Sequence, residues 1–186
     1  IGGNAGDALT EGGENTIIGY TAGGAMTIGN YNTALGRSAL SSSVDGDHNT
    51  AIGYNALQDY EDGDGNGHNT AVGSQSQLNA TTGEFNTSLG SLSMGVGVVT
   101  GDNNVAVGYR AGEDLTTGTM NTMIGAYAAY TLTGGIRNTA LGYGALAKSV
   151  DGDKNTAIGY LALEDYEGAD GEGHNTAVGN ESQLNA

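Results

Sequence analysis

Cysteine, proline and tryptophan are absent from the 186 residues, phenylalanine occurs once, and only five bases stand against 21 acids. Without cysteine there is no disulfide, no thiol nucleophile and no thiolate metal site. With so few large side chains and 35 glycines, a compact core built on bulky apolar residues is excluded; Ala, Gly and Thr must pack backbone against backbone. No run approaches the roughly 20 apolar residues of a membrane helix. The nearest, Gly95-Val96-Gly97-Val98-Val99, is far too short, so no direct membrane insertion is expected. The same run lacks the Lys of a phosphate cradle and reads as a wide turn. A formal charge of −16 argues against nucleic acid, whose phosphates need a basic groove, and it disfavours anionic lipid. Such an excess of acid suits a solvated surface that keeps rods from associating sideways, with cation binding as the competing reading.

What the chain does contain is one short phrase written ten times. Asn15, Asn32, Asn49, Asn69, Asn86, Asn104, Asn121, Asn138, Asn155 and Asn175 each open Asn-Thr-Ala-aliphatic-Gly or a close variant. Counting each Asn as position zero, the next copy starts about 17 residues on, with longer units after Asn49, Asn86 and Asn155. Position +3 is always aliphatic, from Ile18 to Val178, and position +4 is always Gly, from Gly19 to Gly179. A second period lies over the first: residues 107–186 repeat 1–80 without a gap, so six units make a super-repeat spanning 1–106, and 107–186 is an incomplete second copy. The register runs through both ends, so a single repeat domain over 1–186 is expected to be a fragment of a longer array.

A period of this kind means that no unit buries its apolar side chains alone and that stacking neighbours builds one continuous core. Thr, a small residue and a β-branched or aliphatic residue bounded by Asn and Gly read as a short strand, and identical strands one unit apart stack in parallel. The expected fold is all-β: a solenoid of short parallel strands, about 17 residues per coil. The following segment, such as Gly53-Tyr54-Asn55-Ala56-Leu57, is expected to form a second strand, and turns such as Asp45-Gly46-Asp47 return the chain. Positions +1 to +4 carry no charge in any copy, although successive residues point to opposite faces. Both faces therefore read as dry. Neighbouring chains would cover the outer one, with the Ala at +2 and the Gly at +4 crowding around an axis, and a homotrimer is the expected assembly. The recurrent Asn is expected to be structural, either adopting a turn geometry at the strand entrance or hydrogen-bonding to the coil above it in a ladder.

The run Asn49-Thr50-Ala51-Ile52-Gly53-Tyr54-Asn55-Ala56-Leu57, repeated as Asn155-Thr156-Ala157-Ile158-Gly159-Tyr160-Leu161-Ala162-Leu163, resembles the head repeats of trimeric autotransporter adhesins of the YadA-like or haemagglutinin type. It is also similar to repeats in bacteriophage tail fibres. The resemblance implies a left-handed parallel β-roll with three chains side by side, an extracellular place on a bacterial cell or virion surface, and attachment to a receptor, protein or glycan, on a host cell or matrix. The coils here are longer than the usual head unit, so the extra residues must form loops.

Those loops hold the candidate sites. In the coil begun at Asn49, the segment 58–67 sets Tyr60 among Glu61, Asp62 and Asp64; its counterpart sets Tyr166 among Glu167, Asp170 and Glu172. Exposed Tyr beside adaptable polar groups suits receptor contact. Asp62, Asp64 and Asn66 alternate with Gly as at the opening of a calcium loop, but Gly73 stands where the bidentate Glu belongs. Asp45 with Asp47, and Asp151 with Asp153, offer two carboxylates each. Calcium is thus a weak candidate ligand and no other cofactor is indicated. His48, His68 and His174 each precede a repeat Asn with no nucleophile beside them, so no enzyme is expected. Attachment is the leading function, with an ice-binding or a calcium-dependent solenoid as alternatives.

Overall fold

A computed structural model describes residues 2–60, 66–166 and 173–183. Ten three-residue strands form one parallel sheet in sequence order: β1 (Thr16–Ile18), β2 (Thr33–Leu35), β3 (Thr50–Ile52), β4 (Thr70–Val72), β5 (Thr87–Leu89), β6 (Val105–Val107), β7 (Thr122–Ile124), β8 (Thr139–Leu141), β9 (Thr156–Ile158) and β10 (Thr176–Val178). Each pairs with the next at unchanged register, Thr33 with Thr50, Ala34 with Ala51 and Leu35 with Ile52. The chain is therefore a β-solenoid, and the longer coils leave that register intact.

Gly at +4 ends every strand. At Gly53 φ is 139°, and a Cβ there would be driven into the carbonyl of Gly73 in the next coil. Only a residue without a side chain permits coils to approach this closely.

No second strand follows among the described residues. The segment after the Gly is a run of turns in which positions +6 and +8 are left-handed in every coil, Ser38 at 57° and Leu40 at 51° for example. Position −1 is left-handed as well, from Glu14 to His174. Left-handed residues cannot continue a strand, and for non-Gly types they are unfavourable by about 1–2 kcal/mol each. The compensation is hydrogen bonding between coils. Ser38 N–H donates to Tyr20 O of the coil before at 2.9 Å, and Leu40 N–H to Ala56 O of the coil after at 3.1 Å. Backbone donors thus point alternately up and down the rod, which serves the same end as a ladder.

The core is thin. It holds the Ala of position +2, the Ala or Ser of +7, and a Leu or Met near +8 and +11, such as Leu57, Met94 and Leu115. Ala34, Ala51 and Ala140 are fully buried inside a single chain, so the small residues expected at an intermolecular axis fill their own coil. Ser43 and Ser149 sit where other coils carry Met26, Leu115 or Leu132, and the rings of Tyr60 and Tyr166 lie in the coils that follow them. Small and large alternate across those two steps.

Inside the strand entrance runs the Asn ladder. Each backbone N–H from Asn32 to Asn175 donates to the Oδ1 of the Asn before it, at 2.8–3.1 Å. The amide Nδ2 donates to the carbonyl at position −3 of the next coil, as from Asn121 to Gly135 O at 2.7 Å. Asn49 and Asn155 are the exceptions: their buried Nδ2 atoms have no hydrogen-bond partner among the described residues. These two Asn open the twenty-residue coils, where Asn66 and Glu172 replace the usual Gly at −3.

Candidate interaction surface

Alternation along each strand decides which columns face outward. With Ala at +2 inside, Thr at +1 and the aliphatic at +3 face out. Ile18, Leu35, Leu89, Ile124, Leu141 and Val178 remain 36–66% exposed. Ten rungs at a strand spacing of about 4.8 Å give an uncharged ribbon on the order of 45 Å long. A continuous apolar column of that length is a different matter from scattered exposed Leu or Val.

Two further columns border this face. At −1, Tyr31, His48, His68 and Phe85 stack ring on ring, with centroids 4.7, 4.6 and 5.1 Å apart and planes within 9°. The constant left-handed geometry of position −1 brings His48 and His68, twenty residues apart in the chain, face to face. In the second super-repeat the same column is Arg137, Lys154 and His174, with Lys154 Nζ 3.3 Å from His174 Nε2. At +5 the exposed side chains include Tyr20, Arg37, Tyr54, Tyr109, Tyr143 and Tyr160. The Arg37 guanidinium lies 5.6 Å from the centroid of the Tyr54 ring, within cation–π range. Tyr143 and Tyr160 stack at 5.6 Å, and Tyr127 at +6 meets Tyr109, Tyr130 and Tyr143 edge-on.

The candidate loop residues are placed unevenly. The receptor-contact expectation for Tyr60 is corrected: its ring is fully buried in the core and its hydroxyl donates to Asn66 O at 2.7 Å. The physical reason is the vacancy left by Ser43 in the coil before, which a large ring fills. Tyr166 is half-buried against the same core. Glu61, Asp62, Asp64, Glu167, Asp170 and Glu172 lie outside the described residues.

Three of the candidate calcium ligands are engaged with backbone instead. Asp47 Oδ1 accepts from the Asn30 N–H; Asp151 Oδ1 accepts from Gly134 N–H at 3.1 Å and from Thr133 Oγ1 at 2.9 Å; Asp153 Oδ1 accepts from Ile136 N–H at 2.8 Å. Each carboxylate caps a donor one coil back, parallel to the Asn ladder, and Asp45 is half-buried beside them. Among the described residues, no three His, Asp or Glu side chains converge as a metal site would require.

Charge pairing is sparse among the described residues. Arg110 Nε lies 3.4 Å from Glu113 Oε2, and Lys148 reaches Glu164 and Asp165 in the next coil. Burial pushes the Glu113 carboxyl above its ordinary range while Arg110 pulls it down. Among the described residues, no helix is long and apolar enough to cross a membrane.

No protein-family model matches this chain, and neither the curated proteins nor the solved structures compared with it give a match.

Proposed function

We propose that this chain is a segment of an extracellular attachment fibre. Three copies, each a left-handed β-roll, pack along the outward strand face into an acidic homotrimeric rod. The rod displays its longer loops to a protein or glycan receptor, as the head of a bacterial surface adhesin or as part of a phage tail fibre. One observation carries the reading: a ten-rung Thr/aliphatic ribbon, free of charge in a chain of net charge −16, that a lone coil cannot cover. Closed symmetry covers such a ribbon with its own copies. Repetition of loops around the rod then turns weak contacts into avidity. Attachment is tested by shortening both twenty-residue coils to seventeen and comparing parent and variant on host cells and a glycan array. Binding by the parent and its loss in the variant support the proposal; no binding by the parent, or equal binding by both, refutes it.

A second reading gains from the outward aliphatic. Thr at +1 and an aliphatic at +3 together form a flat, regularly spaced two-column face, the kind of surface an ice-binding solenoid presents. The two readings exclude each other, because a trimer would bury the face that ice must touch. Thermal hysteresis from a monomeric chain would favour the second; a trimer without hysteresis favours the first. A calcium-dependent solenoid, the third reading, predicts a melting temperature that falls on chelation.

A further inference from the structure

In one coil of the super-repeat, the two columns that border the outward face, at −1 and +5, exchange residue types between the two copies. In the coil of β2 the pair is Tyr31 and Arg37; one super-repeat later, in the coil of β8, it is Arg137 and Tyr143. Cation and aromatic have exchanged sides. The next coils keep the theme, with His48 and Tyr54 around β3, and Lys154 and Tyr160 around β9. All eight side chains are exposed.

Contact within one chain does not account for the exchange. Position −1 precedes a strand and +5 follows it, and the strand with its flanks holds the two columns more than about 10 Å apart. The observed neighbours run along the columns instead: Tyr31 stacks on His48, and Arg37 lies over Tyr54. Residues that far apart with no shared partner have no reason to compensate one another in a single molecule.

We infer that the −1 column of one copy meets the +5 column of the next, so that an aromatic faces a cation across the boundary in the coils of β2 and β8. This rests on the trimer reading above and specifies its geometry. The contact is heterologous: one margin of the face always meets the opposite margin of a neighbour. A three-fold axis along the rod closes a ring in which each copy sets its −1 margin against one neighbour and its +5 margin against the other. A two-fold along the same axis would pair the two margins reciprocally in a dimer, so the number of copies comes from the trimer reading and not from this contact. Exchange of Tyr and Arg between the two margins preserves one cation and one ring at each boundary. A cation over a Tyr face is already the arrangement that Arg37 makes with Tyr54 inside the chain, so the chemistry suits this surface.

Association of the full 186-residue chain is measured by sedimentation for the parent, Tyr31→Arg, Arg37→Tyr and the double variant, with circular dichroism as a check on folding. Tyr31→Arg alone sets two guanidinium groups against each other and should raise the half-dissociation concentration about tenfold or more. Adding Arg37→Tyr recreates the pattern of the β8 coil and should recover most of that loss. Changes that merely add overturn the inference, because independent sites add. As a second readout, Tyr31→Cys with Arg37→Cys in this cysteine-free chain should give chain-to-chain products with a short bis-maleimide, and either change alone should give none. A trimer that yields no such product overturns the contact while leaving the trimer standing. A chain monomeric at every concentration removes both.

Discussion

At the scale of single residues, the repeat Asn is the main structural device. Asn121 shows its full load. Its Oδ1 accepts from Asn138 N–H and Nδ2, and its own Nδ2 donates to Gly135 O and to Asn104 Oδ1. Removing the amide strands buried donors and acceptors on both sides, so Asn121→Ala should cost about 2–3 kcal/mol in urea unfolding. Asn49→Ala should cost less, because its Nδ2 has no partner to lose among the described residues. The ladder was half legible in the sequence, since an Asn recurring at a strand entrance reads equally as a turn residue and as a rung. The burial of Tyr60 was not legible. Its loop is rich in acid and Gly and reads as exposed, and only the stacking of Ser43 beneath it shows where the ring goes. Tyr60→Ala should therefore destabilise by about 3–5 kcal/mol, as truncation of a buried aromatic does. Tyr60→Phe should lose only about 1 kcal/mol, that of the hydroxyl bond to Asn66 O. Thermal melts of the two variants check this; a melt of Tyr60→Ala like the parent's would return the ring to the surface.

At the scale of the coil, strand position and register were readable because period 17 and the Thr-x-aliphatic-Gly pattern mark them directly. The rest of the coil was not. A second strand was expected after Gly53, but Asn55 and Leu57 are left-handed, and nothing in residue types such as Leu announces that conformation. The preference is imposed from outside, by carbonyls of the coils above and below that must be paired. Glycine at +4 is the counterpart case, in which sequence and structure agree. At Gly125 φ is 131°, and a Cβ would press on the Gly142 carbonyl. Gly125→Ala should then cost about 3 kcal/mol or more through backbone strain and separation of two coils. Hydrogen exchange would show this as lost protection at Gly142 N–H and its neighbours, spreading to both adjoining coils. Unchanged protection would mean that the stack tolerates a wider step.

At the scale of the whole molecule, the outward face was only half legible. Absence of charge at +1 to +4 identified an uncharged ribbon, but its composition was misassigned: Ala turns inward, and Thr with the aliphatics turns out. The columns at −1 and +5 were missed as surfaces because each of their residues, taken alone, is an ordinary exposed Tyr, His or Arg. Their signal was available as the exchange of Tyr31 and Arg37 for Arg137 and Tyr143, which becomes meaningful only once both columns are known to flank one face. The acids belong to this scale too. A rod of net charge −16 repels its copies at long range, so the apolar face must overcome that repulsion, and association should strengthen as salt screens it. Sedimentation equilibrium of the unmodified chain at micromolar concentration and physiological salt tests the central claim most directly. The account predicts the mass of three chains of 18.6 kDa each. A folded, stable species with the mass of one chain, its Thr and aliphatic columns open to water, would contradict it.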